Sequence, residues 1–84
     1  MAIYLFTAEH IARREAVQLV RKLEDLNFGV DFANMDPVFS RTMIMAVTCD
    51  AEESKVVRNH IWEVNNGASC EIEQITADQL EAYL

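Results

Sequence analysis

The 84-residue chain has few of the residues that mark specialised small proteins. It contains only two cysteines, two glycines and one proline. Cys49 and Cys70 form no CxxC motif and have no histidine at ligand spacing, so neither a disulfide framework nor a metal site is predicted. We interpret both cysteines as small buried apolar residues.

Long apolar runs and targeting signals are also missing. No stretch approaches the roughly 18 apolar residues of a membrane span, and the N-terminus lacks the basic segment and cleavage site of a secretory signal. The prediction is a protein of the cytoplasm, or of the host cytoplasm if the chain is virus-encoded, with no membrane partner.

Motifs of enzymes are absent as well. There is no glycine-rich phosphate loop, nucleophile elbow or HExxH motif. His10 and His60 have no carboxylate or cysteine at a spacing that would place it beside them, and both are predicted to be surface residues. We therefore expect no catalytic residue, no cofactor and no enzymatic activity.

Basic residues are scarce and unevenly distributed. Seven basic residues face fourteen acidic ones, which gives a net charge of −7. Residues 1–45 carry five basic residues against six acids (−1), and residues 46–84 carry two against eight (−6). Direct nucleic-acid binding is disfavoured because it depends on cationic side chains, whereas a basic partner would be attracted. The predicted acidic surface comprises Asp50, Glu52, Glu53, Glu71 and Glu73.

The remaining residues form a clear succession of elements. Apolar runs or alternation predict strands at residues 2–6, 30–33, 41–49 and 69–75. Apolar spacing of three and four predicts helices over about 8–26 and 51–65, and a short one over about 77–83. Thr7 is expected to cap the first helix and Gly29 to end it in the left-handed conformation.

Capping signals support the two later helices. Asp50 with Glu53, and Thr76 with Gln79, have the spacing of capping boxes. Asn66-Gly67 is a typical helix end. The order predicts one α+β domain over residues 1–84, a ferredoxin-like βαββαβ two-layer sandwich with a short extra C-terminal helix.

The two central strands of that fold are apolar on both faces, although helices cover only one. We expect Ile3 and Leu5 to face the helices, which leaves Tyr4, Phe6 and one set of side chains from strand three on an open apolar patch. The alternative is that the terminal helix covers the patch through Leu80, Tyr83 and Leu84. The predicted interface residues are Tyr4, Phe6, Met43, Met45, Val47 and Trp62.

These features favour a non-enzymatic, acidic protein-binding module or inhibitor that acts by surface occupation. A chain this small often gains stability by oligomerisation, so we expect a homodimer through the open sheet face or an exposed strand edge, together with a protein partner of unknown identity. By analogy of class, such proteins include virus-encoded inhibitors of host complexes.

Two other functions are compatible with the predicted fold. The layout from Phe28-Gly29-Val30 through the acidic capped helix resembles ACT-type domains, which implies small-molecule sensing; the chain lacks their glycine after the first strand. An RRM-type platform would stack bases on Tyr4 and Phe6, but strand three offers no aromatic residue and the net charge opposes it.

Overall fold

The structure is a computed structural model that describes all 84 residues. The elements are β1 (Ala2–Glu9), α1 (Arg13–Asp25), β2 (Gly29–Met35), β3 (Thr42–Cys49), α2 (Ala51–Asn65), β4 (Cys70–Ile75) and α3 (Ala77–Glu81). The sheet has the order β2-β3-β1-β4 with all neighbours antiparallel. The predicted ferredoxin-like α+β fold is confirmed.

The start of α1 differs from the prediction. Thr7 does not cap the helix but continues β1, where it lies opposite Ile44. The helix begins at Arg13, and the Ala12 amide donates to the Glu15 carboxylate over 2.9 Å. The continuous pairing of β1 with both β3 and β4 outweighs the local capping preference of a threonine.

The other helix boundaries follow local capping chemistry. The Asp50 amide donates to Glu53 Oε1 over 2.9 Å, and Asn66 ends α2 in the left-handed region. Thr76 and Gln79 bond each other reciprocally at 2.8 and 3.2 Å, as predicted. At the end of α1, however, Asn27 and not Gly29 takes the positive φ, at 67°, because Gly29 already belongs to β2.

The faces of the central strands are the reverse of the prediction. Tyr4 and Phe6 point towards the helices, in register with Val47 and Met45 of β3. Phe6 is fully buried there. The two helices leave a deep space above the sheet, and close packing requires the bulkier side chains on that side. The core residues of this helix-side face are Phe6, Ala8, Ile11, Ala16, Leu19, Leu23, Met43, Met45, Val47, Cys49, Val57 and Ile61.

A β-bulge in β2 changes which of its residues share a face. The register with β3 shifts between Val30 and Phe32, so that Asp31 is the additional residue. The Thr48 hydroxyl donates to the Asp31 carboxylate over 2.7 Å at this point. The predicted simple alternation therefore breaks, and Phe32 lies on the side of the sheet that faces away from α1 and α2.

That second face carries a smaller apolar cluster, which α3 covers. Leu5, Ala46 and Ile75 are buried there, and Ile3, Phe32, Ile44 and Leu80 pack around them. The Tyr83 ring stacks on Phe32 with 5.3 Å between the ring centroids. The alternative prediction is thus confirmed for Leu80 and Tyr83, whereas Leu84 remains 75% exposed.

Candidate protein-contact site

Most of the predicted interface lies in the protein core. Phe6, Met43, Met45 and Val47 are fully buried beneath α1 and α2, and Tyr4 packs half-buried against the same cluster. None of the four fully buried side chains can reach a partner without unfolding. The prediction of an open patch at these residues is wrong, because it assigned the two faces of β1 in the opposite sense.

Trp62 is the most exposed of the predicted interface residues. It is 38% exposed on α2. The Arg58 guanidinium lies 4.6 Å from the centre of its ring, a cation–π contact. This contact holds the indole against α2 and covers one face of the indole ring.

The predicted acidic residues form two separate groups. Asp50, Glu52 and Glu53 lie at the N-terminus of α2, where the helix dipole favours negative charge. Glu71 and Glu73 lie on β4, opposite Thr7 and Leu5 of β1. In the first group, Lys55 approaches Glu52 to 3.6 Å, and the N-terminal amine approaches Asp50 to 3.9 Å.

The cysteines occupy distant positions on the helix-side face. Cys49 pairs with Ala2 at one end of β1, and Cys70 pairs with Ala8 at the other. Ala2 and Ala8 are six residue steps, or roughly 20 Å, apart along the strand, so the two thiols cannot bond. Burial raises the pKa of Cys49 to about 11, aided by the charges of Glu53 and Asp50. Burial likewise raises the pKa of Cys70 to about 11, against the opposing charge of Arg58.

The histidines lie at different places in the surface layer. His10 follows β1 with a φ of 59° and is exposed. The expectation that no carboxylate lies beside either histidine is wrong for His60. Its Nδ1 lies 3.7 Å from the carboxylate of Glu63, one turn further along the helix, which also accepts a 3.2 Å hydrogen bond from Lys22. The Lys22–Glu63 bond links α1 to α2. No group of three metal-ligating side chains occurs, and no helix has the length and hydropathy that crossing a bilayer requires.

The loop between β2 and β3 presents two large apolar side chains that the sequence analysis did not single out. Val38 is 78% exposed and Phe39 is 66% exposed. The sequence feature that could have indicated this exposed pair is the position of two apolar residues directly after the only proline, inside a turn. Phe39 borders a shallow depression of about 320 Å³, which it shares with Glu9, His10, Ser40, Arg41 and Thr42.

A larger groove runs between α1 and the edge strand β2, with a volume of about 430 Å³. Its apolar residues come from both elements, and its charged residues all come from α1. The residues that line it include Arg13, Val17, Val20, Arg21, Glu24 and Ala33. The sequence alone did not indicate this groove, because it depends on how α1 is placed along β2.

The chain matches no protein-family model, no curated protein and no solved structure. Its function is therefore inferred from the geometry of its own surfaces.

Proposed function

We propose that this protein is a non-enzymatic binding module that acts by occupying the surface of a partner protein. The observation that carries the proposal is the exposed pair Val38 and Phe39 at the tip of the β2–β3 loop. Adjacent large apolar side chains are costly to leave in water, and an aromatic anchor that fills a pocket often dominates the energy of an interface.

The loop is held in one conformation by its own hydrogen bonds. Asp36 Oδ1 accepts from the Val38 amide at 2.8 Å and from the Phe39 amide at 3.0 Å. The backbone closes the turn through Asp36 N to Thr42 O and Thr42 N to Phe39 O, at 2.8 and 3.0 Å. Pro37 fixes a further backbone angle. Little conformational entropy remains to be lost when the loop binds, which favours recognition by a preformed tip.

Polar and charged side chains surround this apolar tip. Glu9, His10 and Arg41 border the depression beside Phe39, and Arg41 forms no ion pair within the chain. An apolar centre with a polar rim is the usual composition of a protein–protein contact. The proposed partner surface is therefore a pocket for the Phe39 ring, bordered by polar groups that meet Arg41.

The test compares variants of the loop in affinity capture from the source cells and in binding to the purified captured protein. The double variant Val38→Ser with Phe39→Ser should bind that protein roughly tenfold or more weakly, as expected for loss of an aromatic anchor. Leu84→Ser, which alters a side chain exposed to 75%, is the matched control. A partner that binds the double variant as tightly as the wild type would contradict the proposal.

We further propose that the module works as a homodimer and acts as an inhibitor of its partner by excluding other ligands from that surface. The small size of the chain supports the first part, since domains near this length bury a limited share of their surface. Competition between the protein and natural ligands of the captured partner tests the second part.

A second candidate function is small-molecule sensing, which the groove between α1 and β2 favours. Its volume of about 430 Å³ falls within the range of small-ligand sites. Amino acids and nucleotides are the probes, and a ligand at 100 times its Kd would stabilise the fold by about 2.7 kcal/mol in a thermal-shift measurement. The absence of any shift would remove this candidate.

A further inference from the structure

The two edges of the sheet differ in their protection against pairing with another strand. The β4 edge carries Glu71 and Glu73, and charged side chains on an edge discourage an added strand. In β2 the only charged residue is Asp31, the extra residue of the bulge. The second half of β2, residues 32–35, has no charged side chain and no strand beyond it. This half-strand is therefore the unprotected edge of the sheet.

The backbone of this half-strand directs hydrogen-bonding groups outwards. The amide of Asp36, directly after β2, donates to the Thr42 carbonyl of β3 over 2.8 Å. Hydrogen-bonded and non-hydrogen-bonded pairs alternate along an antiparallel ladder, so Ala33 and Met35 belong to pairs of the second kind. Their amide and carbonyl groups therefore point away from β3, towards the free edge.

An antiparallel strand added at this edge lies beside α1. The Phe28 amide donates to the Leu23 carbonyl over 3.0 Å, which holds the end of α1 at the start of β2. The two elements line the groove of about 430 Å³. Ala33 and Met35 face the helix-side cluster, and directly opposed residues of paired strands share a face. The residues of an added strand that bond the backbone of Ala33 and Met35 therefore direct their side chains towards the groove.

The side of α1 that borders the groove carries a regular stripe of side chains. Arg13, Val17 and Arg21 follow one another at intervals of four residues, and all three line the groove. Val17 is 45% exposed, and neither arginine forms an ion pair within the chain. Four residues advance a helix by about 6 Å, and two residues advance a strand by about 7 Å. Every second side chain of a strand along α1 therefore meets one member of this stripe.

The charge of the stripe favours an acidic occupant. Arg13 and Arg21 lie on either side of Val17. The one acidic residue that lines the groove, Glu24, lies three residues beyond Arg21. Two acidic side chains on either side of an apolar one therefore complement the stretch from Arg13 to Arg21. No segment of these 84 residues has an acidic, an apolar and an acidic residue at alternate positions, so the complementary strand belongs to another protein.

We propose that the groove between α1 and β2 binds an extended segment of a partner protein as an antiparallel fifth strand of the sheet. The segment has an acidic, an apolar and an acidic residue at alternate positions. Its carboxylates meet Arg13 and Arg21, and its apolar side chain packs on Val17. Its backbone bonds Ala33 and Met35. The inference goes beyond the proposed function, because the exposed apolar pair of the β2–β3 loop does not line the groove.

Selection from a displayed library of random heptapeptides on the purified wild-type protein tests the chemistry of the occupant. The enriched peptides should share the alternate acidic, apolar and acidic positions. The most enriched sequence is then synthesised with blocked ends, and its Kd is measured by fluorescence polarisation. The absence of any enriched sequence, or enrichment of a different pattern, overturns the inference.

Charge reversal on α1 tests where the acidic side chains bind. Arg13→Glu should raise the Kd of the selected peptide by about tenfold or more, because like charges then meet. Glutamate in the first turn of a helix suits the helix dipole, and circular dichroism checks that the fold is kept. Arg14→Glu, which changes the net charge equally at a residue that does not line the groove, should leave the Kd within about threefold. Equal effects of the two reversals would overturn the placement.

Methylation of single backbone amides of the peptide tests strand pairing while the protein stays unchanged. Methylation at the positions that bond Ala33 and Met35 should weaken binding by about fivefold or more, and these positions should be among those with the selected side chains. Methylation at the intervening positions should leave the Kd within about twofold, because those amides point away from β2. Uniform losses, or losses at the intervening positions, overturn antiparallel pairing.

The same peptide separates this inference from the proposed function. Phe39→Ser should bind it as the wild type does, since Phe39 does not line the groove. Peptide binding that follows the charge reversal and the methylation pattern supports the inference even where Phe39 proves irrelevant to partner binding. Failure of the peptide tests leaves partner binding through Phe39 intact. A free amino acid or nucleotide that saturates the groove, where no peptide binds, overturns the inference.

Discussion

The two faces of the sheet are both apolar, but they are covered in different ways. The helix-side face lies under α1 and α2, with 13 and 15 residues, and twelve side chains form its buried cluster. The opposite face lies under α3, which has five residues, and only three side chains are buried there. The apolar character of a strand therefore does not reveal how much stability each face contributes.

The difference lies in side-chain volume and in the reach of the covering helix. Phe6, Met43 and Met45 fill the space under two long helices. Leu5 and Ala46 belong to the smaller cluster, against which Leu80 of the short α3 packs. Few side chains attach α3 and the residues that follow it to the sheet. Leu80 packs on the small cluster, and Tyr83, just after α3, stacks on Phe32. The helix-side face should therefore dominate the free energy of unfolding.

The largest expected effect is that of removing a ring from the helix-side face. Phe6→Ala should lower the free energy of unfolding by about 3–5 kcal/mol, because it leaves a cavity among fully buried neighbours. That is a large part of the total of about 5–15 kcal/mol typical of a domain. Urea unfolding followed by circular dichroism measures it.

Phe39→Ala removes the same ring from an exposed site and is the matched control. Its effect on unfolding should stay within about 0.5 kcal/mol. Equal effects of the two substitutions would mean that Phe6 is not core, and the assignment of the faces would be wrong. Replacing Phe6 and Met45 together by aspartate should unfold the chain rather than leave a folded monomer.

The order of elements and most helix ends were predictable because their signals are local. Asp50 with Glu53, and Thr76 with Gln79, are separated by three residues, and each forms its capping contact as expected. The faces of β1 were not predictable in the same way. Its residues are apolar on both sides, so alternation carries no information about which side meets the helices. The side-chain volume that each side of the sheet must accommodate decides which residues meet the helices. That volume depends on how all the elements of the fold pack together.

The second expected effect concerns the attachment of α3. Tyr83→Ala removes the ring that stacks on Phe32 and should lower the free energy of unfolding by about 1 kcal/mol. Leu84→Ala alters an exposed neighbour and should change nothing measurable. If Tyr83→Ala approached the cost of Phe6→Ala, the two faces would contribute equally and the comparison would fail.

The candidate surfaces could be predicted only in part from the sequence. Val38 and Phe39 were visible as apolar residues in a turn, although their exposure depends on the hydrogen bonds of Asp36. The bulge at Asp31 had no signal, since a single extra residue leaves the composition of the strand unchanged. The groove beside Ala33 required the placement of α1 along β2, which arises from packing between elements distant in the sequence.

The smallest expected effect concerns the link between the two long helices. Lys22 donates a 3.2 Å hydrogen bond to Glu63, and this bond, with the charge of Lys22, lowers the pKa of Glu63 below its usual value of 4.5. Because the pKa is lower in the folded chain, the ionised carboxylate stabilises the fold above about pH 4.5. That stabilisation is lost as the pH falls through the folded pKa.

Carboxyl NMR titration of Glu63 measures the shift directly. Lys22→Gln should raise its pKa towards 4.5, whereas Lys55→Gln, which removes the partner of Glu52, should leave it unchanged. The effect of Lys22→Gln on unfolding at neutral pH should be smaller than that of Tyr83→Ala, since exposed ion pairs contribute little. A larger effect would mean that an ion pair, rather than burial, holds the helix layer on its face of the sheet.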